Sequence, residues 1–66
     1  MKITLNGEPH ELADGATAQQ LIEQLDLVDK RLAMEVNQEI VPRSTFAEHT
    51  LQPADDVEIV HAIGGG

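Results

Sequence analysis

The sequence predicts an α+β fold in two layers, a mixed sheet of four to five strands packed on one main helix. Residues 2–6, 32–37 and 57–63 alternate polar and apolar side chains, the period of a half-buried strand. A single stretch, beginning at Thr17, carries apolar residues at helical spacing. Turn-forming pairs such as Asn6-Gly7 and Asp14-Gly15 fall at short intervals, so the elements are short and belong to one domain, placed at residues 1–63.

Residues 2–6 put Ile3 and Leu5 on one face of the first strand. Asn6-Gly7 is a two-residue hairpin signal, because both residues tolerate positive φ. The return strand is placed at residues 9–13, with His10 and Leu12 sharing a face, and Asp14-Gly15 ends it. Thr17, with Gln20 three residues on, fits a capping box. Ala18, Leu21, Ile22 and Leu25 then form the apolar stripe of a helix placed at about residues 17–26. In residues 32–37, Leu32, Met34 and Val36 face one way, and Ala33 and Glu35 the other. Asn37-Gln38-Glu39 turns the chain into a short strand, Ile40 and Val41, stopped by Pro42. Residues 44–48 suit one turn of α- or 3₁₀-helix capped by Ser44, and residues 53–56 suit a turn. The last strand, residues 57–63, puts Val57, Ile59, His61 and Ile63 on one face and Glu58, Val60 and Ala62 on the other. Its apolar content on both faces predicts a place beside the first strand in the middle of the sheet.

A chain of 66 residues buries only about 60% of its unfolded surface. Enclosing a substrate would consume its core, so a binding or carrier module is expected rather than an autonomous enzyme. Four basic against twelve acidic residues give a net charge of −8. That field repels nucleic acid and anionic membrane, and it attracts a partner with a basic patch. With no cysteine there is no disulfide, thiolate nucleophile or cysteine-ligated zinc. The start of the sequence lacks the apolar region of a signal peptide and no run is long enough for a membrane span, so a cytoplasmic location is expected.

The chemistry-bearing feature is the ending Gly64-Gly65-Gly66. Three glycines reach about 10 Å beyond the last strand, and a thread without side chains enters a channel too narrow for other sequences. A fraying tail is the alternative reading. The terminal carboxylate is a usable handle: it is a poor electrophile alone, and joining it to AMP makes its carbon attackable.

A strand and helix order of this kind ending in Gly-Gly resembles the ubiquitin-like β-grasp sulfur carriers over the whole length of the chain. Residues 37–43, Asn-Gln-Glu-Ile-Val-Pro-Arg, and residues 60–66, Val-His-Ala-Ile-Gly-Gly-Gly, are similar in particular to the ThiS family of thiamine biosynthesis. Residues 6–8 and 14–17 match the opening of that family, from which the third glycine is a small departure. The resemblance implies that an E1-like enzyme adenylates the Gly66 carboxylate with ATP and magnesium, the carrier itself holding no cofactor. It further implies that persulfide sulfur from a cysteine desulfurase relay displaces AMP to leave a thiocarboxylate, and that thiazole synthase receives the sulfur. Gly64, Gly65 and Gly66 would enter the partners' active sites, and the free carrier would be a monomer. A molybdopterin-type sulfur carrier, and a non-covalent module or a lysine-linked protein modifier, are the alternatives weighed.

Val60 and Ala62, beside Glu58 on the face opposite the helix, suggest a small apolar docking patch, with β-propensity alone as the plain alternative. Pro42 and Arg43 are read as structural. His10, His49 and His61 have no paired metal-ligand spacing, and His61 is placed on the core-facing register, where packing is the default and orienting the tail the alternative. Asp55-Asp56, an acid pair in sequence, is read as a solvated turn.

Overall fold

Two left-handed turns organise the sheet. Asn6 at φ 51° and Gly7 at φ 85° join β1 (Lys2–Leu5) to β2 (Glu8–Glu11). Asn37 at φ 52° and Gln38 at φ 71° join β3 (Leu32–Val36) to β4 (Glu39–Val41). Two successive residues at positive φ give a turn whose twist matches that of the flanking strands, so each pair closes as a tight antiparallel hairpin. These elements come from a computed structural model, which describes residues 1–61. The remaining elements are α1 (Ala18–Gln24), a 3₁₀ turn at Arg43–Thr45, and β5 (Asp56–His61).

The strand order is β2-β1-β5-β3-β4, with β5 central, parallel to β1 and antiparallel to β3. The expected neighbour relation of first and last strands therefore holds. Pro9 sits in β2, an edge strand, where its missing N–H disturbs no interior ladder. β2 stops at Glu11 rather than continuing to Ala13, because β1 starts at Lys2 and the register runs out at the Lys2–Glu11 pair. Leu12 still donates its N–H to the Met1 carbonyl and buries its side chain in the core.

The N-terminus of α1 is fully accounted for. Thr17 is the N-cap, and its hydroxyl accepts from Gln20 while the Gln20 side chain accepts from the Thr17 N–H, the expected capping box. The Ala18 and Gln19 N–H groups donate to the carbonyls of His49 and Phe46, so the segment after the 3₁₀ turn serves as a second cap. At the other end the helix stops at Gln24, short of the expected Asp26. Asp26 takes φ 60°, its N–H donates to Glu23, and the Leu27 N–H donates back to Ile22. That double bond pattern is a Schellman cap, built here on Asp where glycine is the usual choice. The 3₁₀ turn begins at Arg43, with Pro42 in the N-cap place and no side-chain cap bond. The expected Ser44 cap is thus not formed; the chain starts the turn one residue earlier, where the fixed φ of Pro42 leads into it.

Ala18, Leu21 and Ile22 of the helix share one core with Ile3, Met34, Val36, Val57 and Ile59 of the sheet, closed by Phe46 and Leu51 from the connecting segment. The helix covers one face only. On the other face Val60 points away from the core and is 62% exposed. His61 is likewise exposed rather than packed. It pairs with Leu32, itself only half-buried, at the limit of the core layer.

Candidate functional site

Strand alternation places Glu58 and Val60 of β5 on the uncovered face, where both are exposed. The β3–β5 register sets Ala33 opposite Val60 and Glu35 opposite Glu58. The β3–β4 register then sets Ile40 beside Glu35. The result is a surface on which Val60, Ala33 and the 72%-exposed Ile40 surround two carboxylates held side by side. Like charges directly opposite one another across a ladder repel, so this pairing costs stability unless a cation comes between them. Such a face can hold a complementary protein surface, with apolar contact at Val60 and Ile40 and an opposite charge at the acids.

Of the residues singled out from the sequence, Val60 and Glu58 lie together here. Ala62, Gly64, Gly65 and Gly66 lie outside the described residues. Ile40, Ala33 and Glu35 are the neighbours that sequence reasoning did not assign to the patch. The alternation of β3 already turned Ala33 and Glu35 away from the core, but only the strand register brings them against β5.

The approach to the end of β5 is held by two asparagines. Asn37 accepts the Asp56 N–H on its side chain at 3.0 Å, donates its own N–H to the Asp56 carbonyl at 2.7 Å, and donates its amide NH₂ to Asp55 at 3.0 Å. Asn6 accepts the Ile59 N–H on its side-chain oxygen at 2.8 Å. Asp55 also accepts from the Gln52 N–H, so its carboxylate is engaged in fixing the turn before β5 rather than simply solvated, and Asp56, read with it as part of that turn, is the first residue of β5.

The other polar candidates are engaged in holding the fold. Arg43 donates to the carbonyls of Lys30 and Val28, tying down the α1–β3 connection. His10 bonds Gln24, which also donates to the Glu11 carbonyl, joining β2 to the end of α1. Among the described residues no three metal-ligating side chains converge. An open groove of about 270 Å³ runs beside Leu12, Gly15 and Gln20, and another of about 290 Å³ beside Ile3, Pro9 and Ala54. No described helix is long and apolar enough to cross a membrane.

Comparison with known proteins covers the whole chain. The ThiS family model matches residues 3–66. The chain is 38% identical over 66 residues to the sulfur carrier protein ThiS of Escherichia coli strain K12, with all of both chains covered. It is 44% identical over 66 residues to a thiazole synthase of Magnetococcus marinus, of which it spans only 20%. Among solved structures, the crystal structure of the thiamine biosynthesis protein ThiS from Geobacter metallireducens superposes with a TM-score of 0.85 at 29% identity, both chains fully covered. That match is to the ubiquitin-like β-grasp fold expected from the sequence. With the strand order, the capped helix and the family match through the closing glycines agreeing, the chain belongs to the ThiS family.

Proposed function

We propose that this chain is a sulfur carrier of thiamine biosynthesis, a covalent co-substrate rather than a catalyst. The observation that carries the reading is the end-to-end correspondence with the E. coli sulfur carrier protein ThiS, which includes the glycine ending. In this reading the Gly66 carboxylate attacks the α-phosphorus of ATP on an E1-like enzyme and releases pyrophosphate. Magnesium at the enzyme's site neutralises the phosphates. A persulfide sulfur relayed from a cysteine desulfurase then displaces AMP, and a thiol reduces the remaining S–S bond to leave the thiocarboxylate. Gly64 and Gly65 let the end enter a narrow site, since neither adds a side chain to its width.

Thiazole synthase is the proposed acceptor, supported by the relative of that name that contains a homologous segment within a longer chain. Docking to the activating enzyme is assigned to Val60, Glu58 and Ala62 together with Ile40, the described members of which share the open sheet face. The proposed setting is the cytoplasm, with the free carrier a monomer.

The test is incubation of the full chain with the activating enzyme, ATP and a persulfide donor, read by intact mass. Exchange of one terminal oxygen for sulfur is expected. An unchanged mass refutes the carrier role, and a lysine-linked conjugate assigns the chain to the protein modifiers instead. Deleting Gly65 and Gly66 should abolish charging while leaving the thermal melt of the domain in place.

A further inference from the structure

The side chain of Asn6 continues the sheet where its backbone cannot. β1 pairs with β5 only at Thr4–Asp56 and Leu5–Val57, with backbone bonds from the Thr4 N–H to Asp55 and from the Asn6 N–H to Val57. The next rung would take the Ile59 N–H to a β1 carbonyl, but the chain has already entered the hairpin turn at Asn6. The Asn6 side-chain oxygen stands in for that carbonyl, at 2.8 Å from the Ile59 nitrogen and 53 residues away in sequence. The same residue takes φ 51°, so one asparagine makes the turn and grips the outgoing strand.

We infer that Asn6 is a positioning residue for the reaction at Gly66: its side chain fixes the direction in which β5 delivers the chain beyond His61. Asn37 holds the start of β5 at Asp56, and Asn6 holds it three residues further on, so the strand is gripped on both flanks before the closing segment begins. A terminus that must reach a bound nucleotide gains from a fixed root, because each freely varying residue before the reacting carbon lowers the fraction of productive encounters. The inference rests on the carrier reading, and its two measurements separate the fate of each.

Asn6→Gly keeps a residue suited to positive φ but removes the acceptor, whereas Asn6→Asp keeps both. Ile22→Val lowers stability from the helix side of the core while leaving the Asn6–Ile59 bond in place, and serves as the control. Amide exchange on the free chain should be about tenfold faster at Ile59 in Asn6→Gly, beyond any change at the α1 amides, and near the parent rate in Asn6→Asp. With the E1-like enzyme and ATP, pyrophosphate release at saturating carrier should fall at least about threefold in Asn6→Gly, with the half-saturating concentration little changed because the docking face is intact. Asn6→Asp should restore the rate, and Ile22→Val should charge like the parent chain. Parent-like charging of Asn6→Gly, unchanged exchange at Ile59, or an equal slowing in Ile22→Val each overturns the assignment. If the parent chain itself releases no pyrophosphate, the carrier reading fails and the positioning role falls with it, and the Ile59 exchange then reports only whether the anchor exists.

Discussion

Arg43 shows how one side chain can settle a connection that has no regular structure. Its guanidinium donates to the Lys30 carbonyl at 2.7 Å and to the Val28 carbonyl, supplying partners to two groups of the loop between helix and sheet. Lysine presents a point charge rather than a planar fork and cannot reproduce both bonds. Arg43→Met is expected to cost about 0.5–1.5 kcal/mol in urea unfolding, the solvent-exposed setting keeping it at the modest end for two bonds. Glu35 offers the opposite case. It lies opposite Glu58 in the ladder, so Glu35→Gln should stabilise the domain by about 0.2–1 kcal/mol at low salt. In the proposed complex the same change should weaken binding to the activating enzyme, as calorimetric titration would record. A gain in both stability and affinity would remove the acid pair from the docking surface. The structural assignment of Arg43 was readable in outline from its place after Pro42; its carbonyl partners were not, since they lie 13 and 15 residues away along an irregular path.

At the scale of elements, the hairpin turns and the helix start were legible because their chemistry is local. Asn6-Gly7 needs only its own φ angles, and Thr17 with Gln20 needs only one turn of helix. What escaped were the features that depend on a distant segment: the capping of Ala18 and Gln19 by His49 and Phe46, the second job of both turn asparagines on β5, and the neighbours of Val60. The helix end escaped for another reason. Nothing in the apolar stripe marks Asp26 as a left-handed residue, because asparagine or glycine is the usual signal there and aspartate is an uncommon one. Since aspartate carries a steric penalty at φ 60° that glycine lacks, Asp26→Gly should raise stability by about 0.5–1 kcal/mol, visible as a higher urea midpoint with an unchanged slope. A lower midpoint would mean that the Asp26 side chain contributes more than its backbone strain costs.

For the molecule as a whole, the governing quantity is a net charge of −8 on 66 residues. Among the described residues the ion pairs are those of the Met1 amino group with Asp14 and Glu11, and Arg43 is engaged with carbonyls instead of acids. The carboxylates therefore act on one another through solvent, and compaction brings them closer than the unfolded chain does. Sodium chloride shortens the screening length from about 10 Å at 0.1 M to about 3 Å at 1 M, which relieves that repulsion. The melting temperature should therefore climb as salt is added over this range, and chloride is the anion to use because sulfate would also strengthen apolar burial. Association answers to the same field with the opposite sign. If the acids of the open face meet a basic surface on the activating enzyme, the association rate should drop over the same salt series while the carrier grows more stable. Stopped-flow binding and thermal melts on one set of samples measure both trends. Parallel trends, with association unaffected or accelerated by salt, would show that the charge serves solubility alone and that docking rests on Val60 and Ile40. The contrast is decisive because loss of folded carrier cannot explain slower binding under conditions in which the fold is gaining stability.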